Sequence, residues 1–197
     1  MKNISIKALL ILVSLSFQAM ANQEPPATLN PSNLVAEMIS KVKERILGGS
    51  SKAEIRQVFQ EEVTQHLAYA TLTRWIAGDR WDGLPQNERE MLSEVVIHHV
   101  GRSYGTLLTN AVRAEVLINK DSRVSGRKAI VSALAKIPNE PDKAVEFHLV
   151  SEAGAWKLID VKFDGISFAK TIRAELRPLV LNSHEALAAY LADHSSP

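Results

Sequence analysis

The sequence predicts an α+β domain: a helical first half, an antiparallel sheet of about four strands, and two closing helices. Two observations carry this. Apolar residues recur at helical spacing from Leu34 to Leu108, and from Ala114 onward they recur at every second residue. A third observation sets the first residues apart. Lys2 and Lys7 flank the start of an apolar run over residues 8–17, and Ala19-Met20-Ala21 has the small-x-small form that a signal peptidase reads. That run is about ten residues long, half of the roughly twenty a membrane-spanning helix needs. Residues 1–21 therefore read as a signal peptide cleaved after Ala21, residues 22–31 as a polar, Pro-rich leader, and residues 32–197 as a single domain.

The elements follow in order. Pro31 suits a helix start, and Leu34, Val35, Met38, Ile39, Val42 and Ile46 keep helical spacing until Gly48-Gly49. Ser51 with Glu54 forms a capping box for a second helix that carries Ile55, Val58, Phe59 and Val63 on one face. A short third helix covers residues 69–76, and residues 78–83 form a loop holding Trp81. Pro85 opens the longest helix, with Leu92, Val96, Val100, Tyr104, Leu107 and Leu108 along one stripe. The strands are marked by Ala114-Val116-Ile118, Ala129-Val131-Ala133-Ala135-Ile137, Val145-Phe147-Leu149 and Ile159-Val161-Phe163. A tight connection at residues 151–154 joins the last two strands. Helices over residues 168–181 and 184–192 close the chain, the first capped by Ser167 and bent or ended by Pro178.

Charge and cysteine usage narrow the partners. The chain holds 23 Lys+Arg against 22 Asp+Glu, and removing Lys2 and Lys7 leaves 21 against 22. A near-neutral domain without a polybasic run argues against nucleic acid and against electrostatic docking on anionic membranes. The absence of cysteine excludes disulfides and thiolate metal sites.

A search for catalytic groups finds little. His98 and His99 are adjacent, so on a helix they point about 100° apart and do not share a metal ion. Gly48-Gly49-Ser50-Ser51-Lys52 lacks the spacing of a phosphate loop, and Gly165-Ile166-Ser167 lacks the closing glycine of a nucleophile elbow. Asp160 or Asp164 with a histidine would serve a cone-shaped hydrolase or isomerase, which stands as an alternative. A lipid-free adaptor is another. The second strand's face is mostly small (Ala129, Val131, Ala133, Ala135), which fits close helix packing as readily as an open space.

The segment Gly154-Ala155-Trp156-Lys157-Leu158-Ile159-Asp160-Val161, with Asp164-Gly165-Ile166-Ser167 and Arg173, resembles the signature of the MlaC, or toluene-tolerance auxiliary, family. Gly78-Asp79-Arg80-Trp81, the helix start Pro85-Gln86-Asn87-Glu88-Arg89 and Ser103-Tyr104 resemble further family features. Order and spacing agree from about Leu34 to Leu191. Two departures stand out. Ile172 occupies a position that is usually Tyr, and residues 65–69 lack an Asp often found there.

The resemblance implies a periplasmic phospholipid carrier without enzymatic activity or cofactor. Helices and a curved sheet would enclose an apolar cavity, and the protein, expected to be a monomer, would pass lipid between an outer-membrane lipoprotein complex and an inner-membrane ABC transporter. A carrier has a physical rationale: at about 0.8 kcal/mol per methylene, moving two sixteen-carbon chains into water costs on the order of 20 kcal/mol. The expected lining comprises Val96, Val100, Tyr104 and Leu108 on the long helix, faced by Val145, Phe147, Leu149, Ile159, Val161 and Phe163 on the sheet. Trp81 and Ile172 are placed near the entrance. Trp156 is expected to pack the hairpin, and Asp160 to pair with Arg173 or a backbone donor.

Overall fold

A computed structural model describes residues 30–46, 50–105, 113–182 and 184–194. Residues 1–29, where a signal peptide and a leader are expected, lie outside these residues, as do Gly48-Gly49, Leu107, Leu108 and the side chain of Tyr104.

Four helices come first: α1 (Pro31–Ile46), α2 (Lys52–Val58), α3 (Tyr69–Ala77) and α4 (Gln86–Gly105). The capping box at α2 is present, with the Glu54 amide donating to Ser51 Oγ and the Ser51 amide donating to the Glu54 carboxylate at 2.6 Å. Beyond Val58 the helix changes pitch. Residues 59–63 form a π turn in which the Thr64 amide reaches back to Phe59 O, and a short 3₁₀ turn, Thr64–His66, follows. One residue is thereby inserted into the helical ladder. The Trp81 segment, Gly78–Gly83, is a 3₁₀ turn rather than an irregular loop.

The sheet has six strands rather than four: β1 (Glu115–Ile118), β2 (Arg123–Ser125), β3 (Lys128–Lys136), β4 (Lys143–Glu152), β5 (Ala155–Phe163) and β6 (Ile166–Ser167). Its order is β1-β3-β4-β5-β6, every pairing is antiparallel, and β2 shares with β1 the outer edge of β3. The β4–β5 hairpin turns on Ala153 and Gly154, both at positive φ, as the two-residue turns that match strand twist require. Between His148 and Leu149 the register with β5 slips: His148 faces Asp160, yet Leu149 faces Leu158. Ile159 is the extra residue of a β-bulge, which bends and twists the strand locally.

Two helices close the chain, α5 (Phe168–Asn182) and α6 (His184–His194). Ser167 caps α5 as expected, accepting from the Lys170 amide at 3.1 Å, but the helix continues through Pro178. The helices form two tiers. α1 packs on β3, while α3 and α5 pack on β5; α4 packs mainly on α2, α3, α5 and α6. Leu92, Val95 and Val96 of α4 are wholly buried, so this helix is the core of the helical layer rather than a lid on the sheet.

Candidate functional site

Between the first helical tier and the sheet lies a cavity of about 820 Å³, toward the upper end of the roughly 300–1,000 Å³ typical of ligand sites. Of its 26 lining residues among those described, only Lys43, Arg113, Glu140 and Asp160 carry charge. The other 22 are apolar, so the space suits a hydrocarbon ligand. α1 contributes Met38, Ile39 and Val42, and the π turn contributes Phe59 and Val63. Leu67 and Leu72 also line it, Leu67 bridging to Leu158 of β5. The sheet supplies Val116, Ala135, Ile137, Val145, Phe147, Val161 and Phe163, and α5 supplies Phe168, Ala169 and Ile172.

Seven of the anticipated lining residues meet at this wall: Val100, Val145, Phe147, Ile159, Val161, Phe163 and Ile172. Val96 and Leu149 do not, being buried at 0 and 2 % exposure in the solid core. Val96 is set back because α4 belongs to the second tier. Leu149 lies toward the hairpin end of the sheet, opposite Leu158 and Ala129. Trp81 also stands apart, in its 3₁₀ turn, with the Arg89 guanidinium 5.0 Å from the ring centroid and Arg89 Nε donating to Trp81 O at 3.1 Å. Ile172 is buried in the wall at 4 % exposure rather than at an entrance.

The wall residues on α1, the π turn and Leu158 were not anticipated. For Leu158 a signal exists in the sequence: Trp156 and Leu158 share one phase of alternation, Val161 and Phe163 the other, and such a phase change within a strand marks a bulge.

Asp160 accepts hydrogen bonds from Ser167 Oγ at 2.6 Å and from the Ala169 amide at 2.9 Å, tying β5 to the start of α5. The backbone donor is thus Ala169, while Arg173 stacks on Trp75 at 4.6 Å. Asp164 is ion-paired with Lys143 at 3.1 Å. Among the described residues neither aspartate is hydrogen-bonded to a histidine; His148 lies opposite Asp160 across the sheet, but its Nε2 meets the Glu146 carboxylate at 3.1 Å. His99, between Tyr190 and Glu175 at 2.9 and 2.6 Å, instead joins α4 to α5 and α6, and His98 is exposed. Among the described residues, no three His, Asp or Glu side chains converge as a metal site would need, and no helix is long and apolar enough to cross a membrane.

The fold is an α+β domain with a large, mostly apolar cavity between its helices and its sheet. The chain belongs to the MlaC protein family, whose model matches residues 32–193. No curated protein matches the sequence. Among solved structures, the chain is similar to a phospholipid-binding protein from Ralstonia solanacearum, determined in complex with a phospholipid. The two share 14 % identity at a TM-score of 0.70, over 85 % of this chain and 100 % of that one.

Proposed function

We propose that this protein is a phospholipid carrier of the periplasm, exported by its signal peptide, acting as a monomer and without enzymatic activity. It takes acyl chains into the cavity between the first helical tier and the sheet. It passes lipid between an outer-membrane lipoprotein complex and an inner-membrane ABC transporter. The observation that carries this reading is the cavity itself, about 820 Å³ with an almost wholly apolar wall. In an ordinary core that volume would be filled, because interiors pack to the density of organic crystals. An unfilled apolar space of this size is tolerated when a ligand supplies the missing contacts. Val100, Val145, Phe147, Ile159, Val161, Phe163 and Ile172 would contact the chains.

Mass spectrometry of the purified mature protein, under native conditions and after organic extraction, tests the proposal. A co-purifying phospholipid at one equivalent is the expected result, lost in Phe147→Asp while the circular dichroism of the folded chain is kept. A lipid-free native protein, or a folded Phe147→Asp that retains lipid, would overturn it.

A further inference from the structure

The four charged residues of the cavity wall are not scattered. Asp160 is committed to Ser167 and Ala169. The other three gather at one end. Lys43 Nζ donates to Ala114 O at 2.6 Å, which holds the ammonium beside Arg113. The pairing of Glu115 with Lys136 brings the chain just before β1 alongside the chain just after β3, where Pro138 and Glu140 follow. The Glu140 amide closes that turn on Ile137 O at 3.1 Å. Arg113 and Glu140 are exposed, Lys43 is half-buried, and all three border the cavity. The neighbouring Lys143 is already neutralised by Asp164. Among the described residues, the side chains of Arg113 and Glu140 have no ion-pair partner, and Lys43 is held only by a carbonyl.

We infer that Lys43 and Arg113 form a headgroup site at this rim, binding the phosphodiester of a lipid whose acyl chains fill the cavity. The inference rests on the lipid-carrier reading above and adds the two side chains that would hold the lipid's phosphate. The ammonium has three donors, one of which is used by Ala114, and the guanidinium offers a planar fork suited to phosphate oxygens. With Glu140 the rim carries a net +1, which balances the single negative charge of a phosphodiester. The lining toward the β4–β5 hairpin, where Leu67 meets Leu158, is apolar and receives the chain ends.

The test compares uptake by the mature chain of two ligands with identical tail-labelled acyl chains, phosphatidylglycerol and the phosphate-free diacylglycerol, from vesicles of otherwise equal composition. In the double variant Lys43→Met with Arg113→Gln, affinity for phosphatidylglycerol should fall roughly tenfold, as loss of charged hydrogen bonds predicts, while diacylglycerol uptake is unchanged. Equal loss of both ligands, or of neither, overturns the headgroup site while leaving the carrier reading intact. Failure of the unmodified chain to take up either ligand removes the carrier reading itself. Titration of inorganic phosphate into lipid-stripped protein separates the remaining source. Saturable phosphate binding that the double variant abolishes, with phosphatidylglycerol affinity unaltered, assigns the rim to a free anion and overturns the inference.

Discussion

Helix α4 and strand β5 have similar apolar residues and serve opposite purposes. Leu92, Val95 and Val96 on α4 are wholly buried against other helices, and among the described side chains of α4 only Val100 reaches the cavity. Leu158, Ile159, Val161 and Phe163 on β5 all face it. The difference lies in what stands opposite each element, since α4 is surrounded by helices while β5 looks across an unfilled space. Residue type alone does not separate a packed core from a binding wall, because both are made from the same side chains.

The sharpest break of this contrast uses one substitution in both places. In lipid-stripped protein, Val96→Ala should cost about 2–3 kcal/mol, the transfer loss plus a new void. Val161→Ala should cost about 1 kcal/mol or less, since its neighbours on one side are already missing. Chemical denaturation of both variants decides it, and equal costs would mean that β5 is packed like α4 and the cavity is filled.

A second variant sharpens the contrast through the polar anchor of β5. Asp160→Ala removes the acceptor for both Ser167 and the Ala169 amide, a loss of the size of a helix cap, about 1–2 kcal/mol. Faster amide exchange should be confined to the first turn of α5. Exchange that rises equally in α4 would show that the two elements are not energetically separate.

The smallest effect is a pH dependence. β5 joins the helical layer through the Leu67–Leu158 bridge and through Lys157 Nζ, which donates to Gln65 O at 2.6 Å. Beside them, burial, followed by the nearby Lys157 and Lys41, holds His66 below its ordinary value of 6.5. The unfolded imidazole therefore takes up a proton first. Its share of stability is complete above pH 6.5 and is lost as the pH falls through the lower folded value. His66→Asn should flatten the pH profile of the melting temperature in that window, and an unchanged slope would remove His66 from the account.

Much of the fold was legible in the sequence because its signals are local. The Ser51–Glu54 box, the Ser167 cap and the alternation of Val145-Phe147-Leu149 each depend on neighbours a few positions away. What escaped depends on partners far along the chain. β2 and β6 are only three and two residues long and exist as edges of β3 and β5, so alone they carry no usable period. The helical tiers were equally hidden: the stripe on α4 states that a face is buried, not whether helices or a sheet bury it. The expected lining therefore includes Val96 and omits Met38, Phe59 and Val63, which the sequence places only on apolar helix faces.

The bulge at Ile159 has a consequence for tolerance to change in length. Residues 145–152 of β4 are opposed by residues 155–163 of β5, eight against nine, so the strand carries a built-in dislocation. Deleting Ile159 would make the ladder regular and bring Trp156 and Leu158 into one alternation with Val161 and Phe163, so all four would keep the inner face. A deletion at Ala153 or Gly154 would instead destroy the two-residue turn that sets the register of the whole hairpin. In this strand the surplus residue sits in the middle, so the ladder is freer to lose a residue there than at its end.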